Sequence, residues 1–323
     1  MSGQQNWGKN RVAHEHLRPA RRGIGNQASG ILNRDTTLAV ATAVGAVGPG
    51  VVTGNTAVHD PTMCKDKNGK YFVFSTAPGL EIRTSTDRTA WTLAGKVWPN
   101  GASWTDAYTG TSNGNLWAPD CTYINGVFWL YYSASSFGSQ KSAIFLAKST
   151  TGLPGSWSNE GLITSTSSSN NYNAIDPNVD PSTGKLTSNT PTALAQRTTA
   201  SGAVEASAVY HFGNYYYLFT SWDKCCSGTS STYNIRVGRS SNPNGGFVDK
   251  AGVALTAGGG TLVLASAGNI IGPGGQDLMT DGDGPIIVYH YYTSTGSFAR
   301  LLEWLAGAYD MHHIFRCSLK KHA

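Results

Sequence analysis

From about residue 55 onward, apolar side chains come in short bursts rich in aromatic and β-branched residues. Clusters of Gly, Asn, Asp and Ser break them up. Apolar runs with helical spacing are scarce. The pattern predicts strands over 70–76, 127–133, 215–222 and 286–292. Each follows a turn: Asn68-Gly69, Asn125-Gly126, Gly213-Asn214 and Gly282 to Gly284. Asn-Gly between two such runs is a strong hairpin signal, because both residues tolerate positive φ.

The bursts repeat. Ahead of each turn lies an acidic or amide residue beside small residues or Pro: Asp60 in "VHDPTM", Asp120 in "WAPDC", Glu205 in "GAVEAS", and Gln276-Asp277 in "GPGGQD". Asp176 in "NAIDPNV" makes a fifth member. Five such units predict an all-β, five-bladed β-propeller, with the lead-in residues converging at one channel mouth.

The spacing is uneven. The intervals from Asp60 to Asp120, Asp176, Glu205 and Gln276 are 60, 56, 29 and 71 residues. The third is short by roughly one hairpin of two 5–6-residue strands. The polar stretch "KLTSNTPTALAQRTTASG" stands where an aromatic strand is expected. The third blade is therefore predicted to be incomplete. Three regions follow: an unassigned basic segment 1–50, a propeller over 51–295, and a tail 296–323. In that tail "FARLLEWLAGAYDMHH" reads as an amphipathic helix that deprives the closing blade of its last strand.

Composition agrees with a turn-rich β protein: 39 glycines and 34 aromatic residues in 323. The net charge of +5 lies in the termini. Residues 1–34 alone sum to +5, and residues 35–315 carry 15 basic and 18 acidic side chains. The body is not a basic nucleic-acid surface. No segment reaches the roughly 18 apolar residues of a membrane span. The apolar run 36–50 resembles the core of a signal peptide but lies far from Met1. Five cysteines show no metal-ligand spacing, and the vicinal Cys225-Cys226 suits a rigid turn.

Asp60, Asp176 and Glu205 sit beside small or apolar residues, which can desolvate a carboxylate and raise its pKa. Glycoside hydrolysis needs a protonated carboxyl to donate to the leaving oxygen and an ionised one to activate water. Taken alone, an Asp before Pro is ordinarily a turn residue. The repeat register makes the difference, since it aims all three at one place.

The motifs "NTAVHDPTM", "LWAPD", "YYSASSFGSQKSAI", "YNAIDPNV", "GAVEAS", "YYYLFTSWDKCCSGTSSTYNIRVGRS", "GPGGQ" and "VYHYY" together resemble the endo-1,5-α-L-arabinanases of glycoside hydrolase family 43. The resemblance implies a five-bladed propeller that cleaves internal links of arabinan with inversion. It implies Asp60 as general base, Glu205 as general acid and Asp176 as the residue that raises and orients the acid. Asp180 is left as a turn residue. Inversion calls for base and acid carboxyls roughly 6.5–9.5 Å apart.

Trp117 and Phe137 match groove-lining positions, and His290 matches a histidine that helps bind calcium or a similar ion through water. No cofactor is needed for the chemistry. Arabinan is the expected partner, without nucleic acid or membrane, for a monomeric extracellular chain. A hairpin usual in the family after "AIDPN" is missing here. The rivals are an exo-acting arabinofuranosidase or xylosidase of the same fold, and an inactive sugar-binding propeller.

Overall fold

The computed structural model describes residues 52–178, 191–199, 202–282 and 284–293, together with the backbone of strand Gly296–Leu305. Segment 1–50 and Asp180 lie outside them. Among the described residues, helix is confined to α1 (Asp106–Thr109) and three 3-10 turns. The rest is strand and turn.

Four sheets form. The first contains β1 (Thr53–Gly54), β2 (Thr62–Lys65), β3 (Tyr71–Ser75), β5 (Glu81–Ser85) and β6 (Ala90–Lys96). The second contains β4 (Ala77–Pro78), β7 (Asn115–Ile124), β8 (Val127–Ala134), β9 (Ser142–Ser149) and β10 (Trp157–Thr166). The third runs β11 (Val204–Phe212), β12 (Tyr215–Trp222), β13 (Asn234–Ser240), β14 (Thr261–Leu264) in spatial order. The fourth runs β15 (Ile270–Asp281), β16 (Gly284–Thr293), β17 (Gly296–Leu305).

The predicted hairpins form as read. Asn125 and Gly126 are the only residues between β7 and β8, at φ 52° and 83°. Positive φ at both central residues is the demand of a type I′ turn.

The tail prediction is overturned over its first ten residues. Residues 296–305 are not helical; β17 pairs antiparallel with β16 from Thr293 to Ile286, so the fourth sheet keeps its last strand. The helical spacing of "FARLLEWL" is a local preference. An open edge on β16, with its row of unpaired N–H and C=O groups, outweighs it.

Apolar clusters join neighbouring sheets. Phe72, Phe74 and Ile82 of the first meet Leu116, Phe128 and Leu130 of the second. Phe219 and Val237 of the third meet Ile287 and Tyr289 of the fourth. Ile286 and Val288 of the fourth meet Met63 and Val73 of the first. Second and third sheets share no such cluster among the described residues. Between them runs the segment 167–178, which forms no strand, while Leu194 packs on Leu218 of the third sheet and on Phe247 of the connection after β13.

One backbone device recurs around the centre. Asp60, Ala118, Asp176, Ala206 and Gly275 all have left-handed φ, between 40° and 59°. Three of them sit at a bulge in an inner strand: the pairing slips between Trp117 and Asp120, Glu205 and Ala208, and Gly274 and Asp277. Each of the five gives its N–H to a side chain. Thr76 Oγ1 takes that of Ala118 and Ser133 Oγ that of Asp176. Ser221 Oγ takes that of Gly275 and His290 Nδ1 that of Asp60. Those four acceptors lie on, or just after, the second strand of the preceding sheet. Ala206 differs: its acceptor is Asp176 Oδ2, at 2.8 Å.

Two residues further on, a second tier of hydrogen bonds links neighbouring sheets. Thr62 donates to Asp277, and Cys121 N–H donates to Thr62. Asn178 reaches Asp120, and Val209 N–H donates to Asn178. A disulfide, Cys64–Cys121, ties β2 to β7.

Candidate active site

Two of the left-handed residues, Asp60 and Asp176, present their side chains to a cavity of about 620 Å³. Asp60, Asp176 and Glu205 line it, with Trp117 and Phe137 at one wall and Tyr233, Tyr292 and the 225–229 turn at another. Five of the six residues singled out from sequence are thus brought together. The sixth, His290, lies fully buried behind Asp60.

The register differs from the expected one. Asp60 and Asp176 occupy the left-handed position, whereas Glu205 precedes it and Asp120 and Asp277 follow it by two residues. Those last two line a second, small cavity and not the large one. The left-handed residue, a bulge in three of the inner strands, interrupts the strand's alternation of faces, so the side chains before and after it do not follow a simple two-residue repeat.

Asp60 is held from three sides. Its carboxylate accepts from Thr76 Oγ1 at 2.8 Å and pairs with His59 Nδ1 at 2.8 Å; His290 Nδ1 lies 3.4 Å away. Burial works against its charge, but His59 and Thr76 outweigh burial and hold its pKa at about 2. Asp60 therefore stays ionised. Gly275 is needed for this: a Cβ there would run into Asp60 Oδ1 and the His290 ring, at a φ that itself favours glycine.

Glu205 is driven the other way. Burial first, then the Asp176 charge and that of Asp60, raise its pKa well above the usual value, against a hydrogen bond from Tyr233. One carboxyl is thus kept ionised and the other protonated, the division of labour that acid–base hydrolysis requires.

Trp117 and Phe137 stand with ring centroids 5.1 Å apart, and Phe137 is 63% exposed. An aromatic ring left in water at a cavity wall is a surface for an apolar sugar face.

The His290 site passes a test of fit for an ion held through water. Its Nδ1 accepts the Asp60 N–H, so in the neutral ring the other nitrogen carries the proton. Burial and His59 outweigh Asp60 and keep the ring neutral, with a pKa of about 3. Nε2–H is buried with no partner among the described residues. A protonated nitrogen cannot ligate a metal directly but can donate to a water that does.

His59, Thr76 and Tyr233 were not foreseen. His59 is legible in "VHDP" as the neighbour of Asp60, but Tyr233 lies 28 residues from Glu205 and only the fold joins them. Cys225 and Cys226 are joined as a vicinal disulfide in the cavity wall, 3.8 and 3.7 Å from His59 Nε2.

The sequence matches the glycosyl hydrolases family 43 over residues 51–186 and 179–303, and the chain belongs to that family. The two pieces meet where the missing hairpin was expected. An extracellular endo-α-(1→5)-L-arabinanase 1 of Bacillus subtilis is 39% identical over 265 residues, covering 74% of this chain and 81% of that protein. A probable arabinan endo-1,5-α-L-arabinosidase A of Aspergillus fumigatus is 40% identical over 299 residues, covering 82% and 92%. The crystal structure of a GH43 endo-arabinanase from Bacillus licheniformis superimposes with a TM-score of 0.72 at 35% identity, covering 78% of this chain and 95% of that one. The resemblance read from the motifs is borne out.

Proposed function

We propose that this chain hydrolyses internal α-1,5-L-arabinofuranosidic links of arabinan with inversion at the anomeric carbon. The observation that carries the reading is the pair of carboxyls in one cavity, Asp60 held ionised and Glu205 held protonated.

Asp60 takes a proton from water as the water oxygen bonds to the anomeric carbon. The glycosidic C–O bond breaks, and its electrons go to the leaving oxygen, which takes the Glu205 proton. Asp176 keeps that proton on Glu205 by the repulsion of its own charge. Trp117 and Phe137 hold sugar faces. Two carboxyls and a water complete the reaction, so no cofactor enters. A calcium or similar ion in the channel would be held through water by His290 and would brace the inner strands.

The five left-handed residues support a five-bladed propeller whose third blade is reduced to its inner segment. The catalytic domain then spans residues 51 to 305. The name of the Bacillus subtilis relative and the Cys64–Cys121 disulfide, a bond at home in oxidising compartments, favour an extracellular chain.

The test is product release from linear 1,5-arabinan by the purified chain, with Glu205→Gln alongside. Short arabino-oligosaccharides from the wild type alone are expected. Release of arabinose alone would mean exo action. No release from a folded wild type would overturn the reading.

A further inference from the structure

We propose that Tyr233 is a positioning residue that dictates which oxygen of Glu205 carries the transferable proton. The inference rests on Glu205 being the acid.

Tyr233 stands at the end of the turn leading into β13, and its side chain is 2% exposed. The phenol oxygen lies 2.7 Å from Glu205 Oε1 and donates to it. Nothing about the ring is adjustable. It packs beside the His290 ring, with centroids 5.9 Å apart and planes 26° from parallel. On its other side is the β15 backbone at Gly274, where a Cβ would fall inside the Tyr233 ring. The two glycines that end the "GPGG" run are thereby explained. One glycine admits Tyr233 and the next admits Asp60 and His290.

The phenol has no other hydrogen-bond partner among the described residues. Its proton is therefore committed to Glu205. If Oε1 accepts that proton, it is the carbonyl oxygen of the protonated acid, and the acidic hydrogen rides on Oε2. After transfer Glu205 is a carboxylate, which can only accept, and the same phenol hydrogen bond stabilises it without any rotation. The other charged groups that act on Glu205 are Asp176, from the segment after β10, and Asp60, ahead of β2. Both are anions and neither can donate. Burial, then Glu205, Asp176 and Asp60, push the Tyr233 pKa well up, so the phenol stays a donor.

Tyr233→Phe tests this, because it keeps the ring and removes only the donor. On linear arabinan kcat is expected to fall by about tenfold or more, within the reach of general acid catalysis. On an aryl arabino-oligosaccharide with a 4-nitrophenolate leaving group, which needs little protonation, the fall is expected to stay under about threefold. The alkaline limb of kcat/KM on arabinan is expected to move up in pH, since a bond favouring the carboxylate is gone. Equal losses on both substrates would mean a merely structural role and overturn the proposal.

A second readout needs no turnover. The carbonyl stretch of protonated Glu205, isolated as the infrared difference between wild type and Glu205→Gln, is expected at higher frequency in Tyr233→Phe. A band that stays in place overturns the proposal. A shifted band in a chain that leaves arabinan uncut upholds Tyr233 and overturns the substrate reading instead.

Discussion

The Asp176 carboxylate accepts the backbone N–H of Ala206 at 2.8 Å, and Ala206 is the residue after Glu205. At the other positions of the ring a Ser, Thr or His from a second strand fills this place. Here Asp176, on the strandless segment 167–178, takes that place. It holds the acid's backbone with a hydrogen bond and the acid's proton with its charge.

The two roles separate by substitution. Asp176→Asn keeps an oxygen that can accept from Ala206 but removes the charge that raises Glu205. Its alkaline limb of kcat/KM should move down in pH, because Glu205 then gives up its proton sooner. Asp176→Ala loses both and should cost about 100-fold or more in kcat. Rate profiles of the two variants against pH check this.

Glu205 should also make the fold weaker in base. Its folded pKa is raised, so its contribution to stability is fully present below the unfolded value and is lost as pH rises through the folded one. Glu205→Gln removes that dependence. The variant should melt at a higher temperature than the wild type in alkaline buffer, and the gap should close in acid. Thermal melts at several pH values measure it.

Asp281 fastens the fourth sheet to the first by accepting from Lys65, Tyr71 and Arg88 at 2.5, 2.5 and 2.6 Å. Its pKa is well below the usual value: burial opposes the charge, and Lys65, Tyr71, the Gly282 N–H and Arg88 outweigh it. A depressed pKa gives stability above the unfolded value that is lost as pH falls toward the folded one. Asp281→Asn should lower stability by about 1–3 kcal/mol at pH 7, less as the acid range is entered. Urea denaturation at pH 7 and pH 3 compares the two.

Cys64 and Cys121 close a loop with a sequence separation of 57. The chain-entropy account gives such a crosslink about 4 kcal/mol. Replacing both with Ala should therefore lower the unfolding free energy by about 2–4 kcal/mol, with kcat of the folded fraction unchanged. Denaturation and activity assays on the same sample read both.

Phe137 should act on binding alone. It is exposed and touches none of the carboxyls in the hydrogen-bond network. Phe137→Ala should raise KM by about 3–10-fold, the worth of a ring contact, and leave kcat near normal. Initial rates over a range of arabinan concentrations decide it.

Much of this was legible from sequence. Asn125-Gly126 announces its turn because both residues accept positive φ. Asp60, Asp176 and Glu205 stand out because short-range composition marks where inner strands begin. The register of Glu205 was misread by one place, since a bulge adds a residue that spacing alone does not reveal. The strand over 296–305 was missed because its partner, β16, supplies the reason for it. Tyr233 was missed because a phenol and an acid 28 residues apart meet only once β11 and β13 lie on either side of β12.

The bond from Asp60 N–H to His290 crosses from the fourth sheet to the first, and that from Asp176 N–H to Ser133 starts from the second. The backbones of Asp60 and Asp176 are therefore tied to a neighbouring sheet. A seam that breathes by an ångström mis-aims a carboxyl while every hairpin stays paired. Catalysis in such a molecule is a strain gauge for its seams: on warming, turnover fades before the β-sheet signal does.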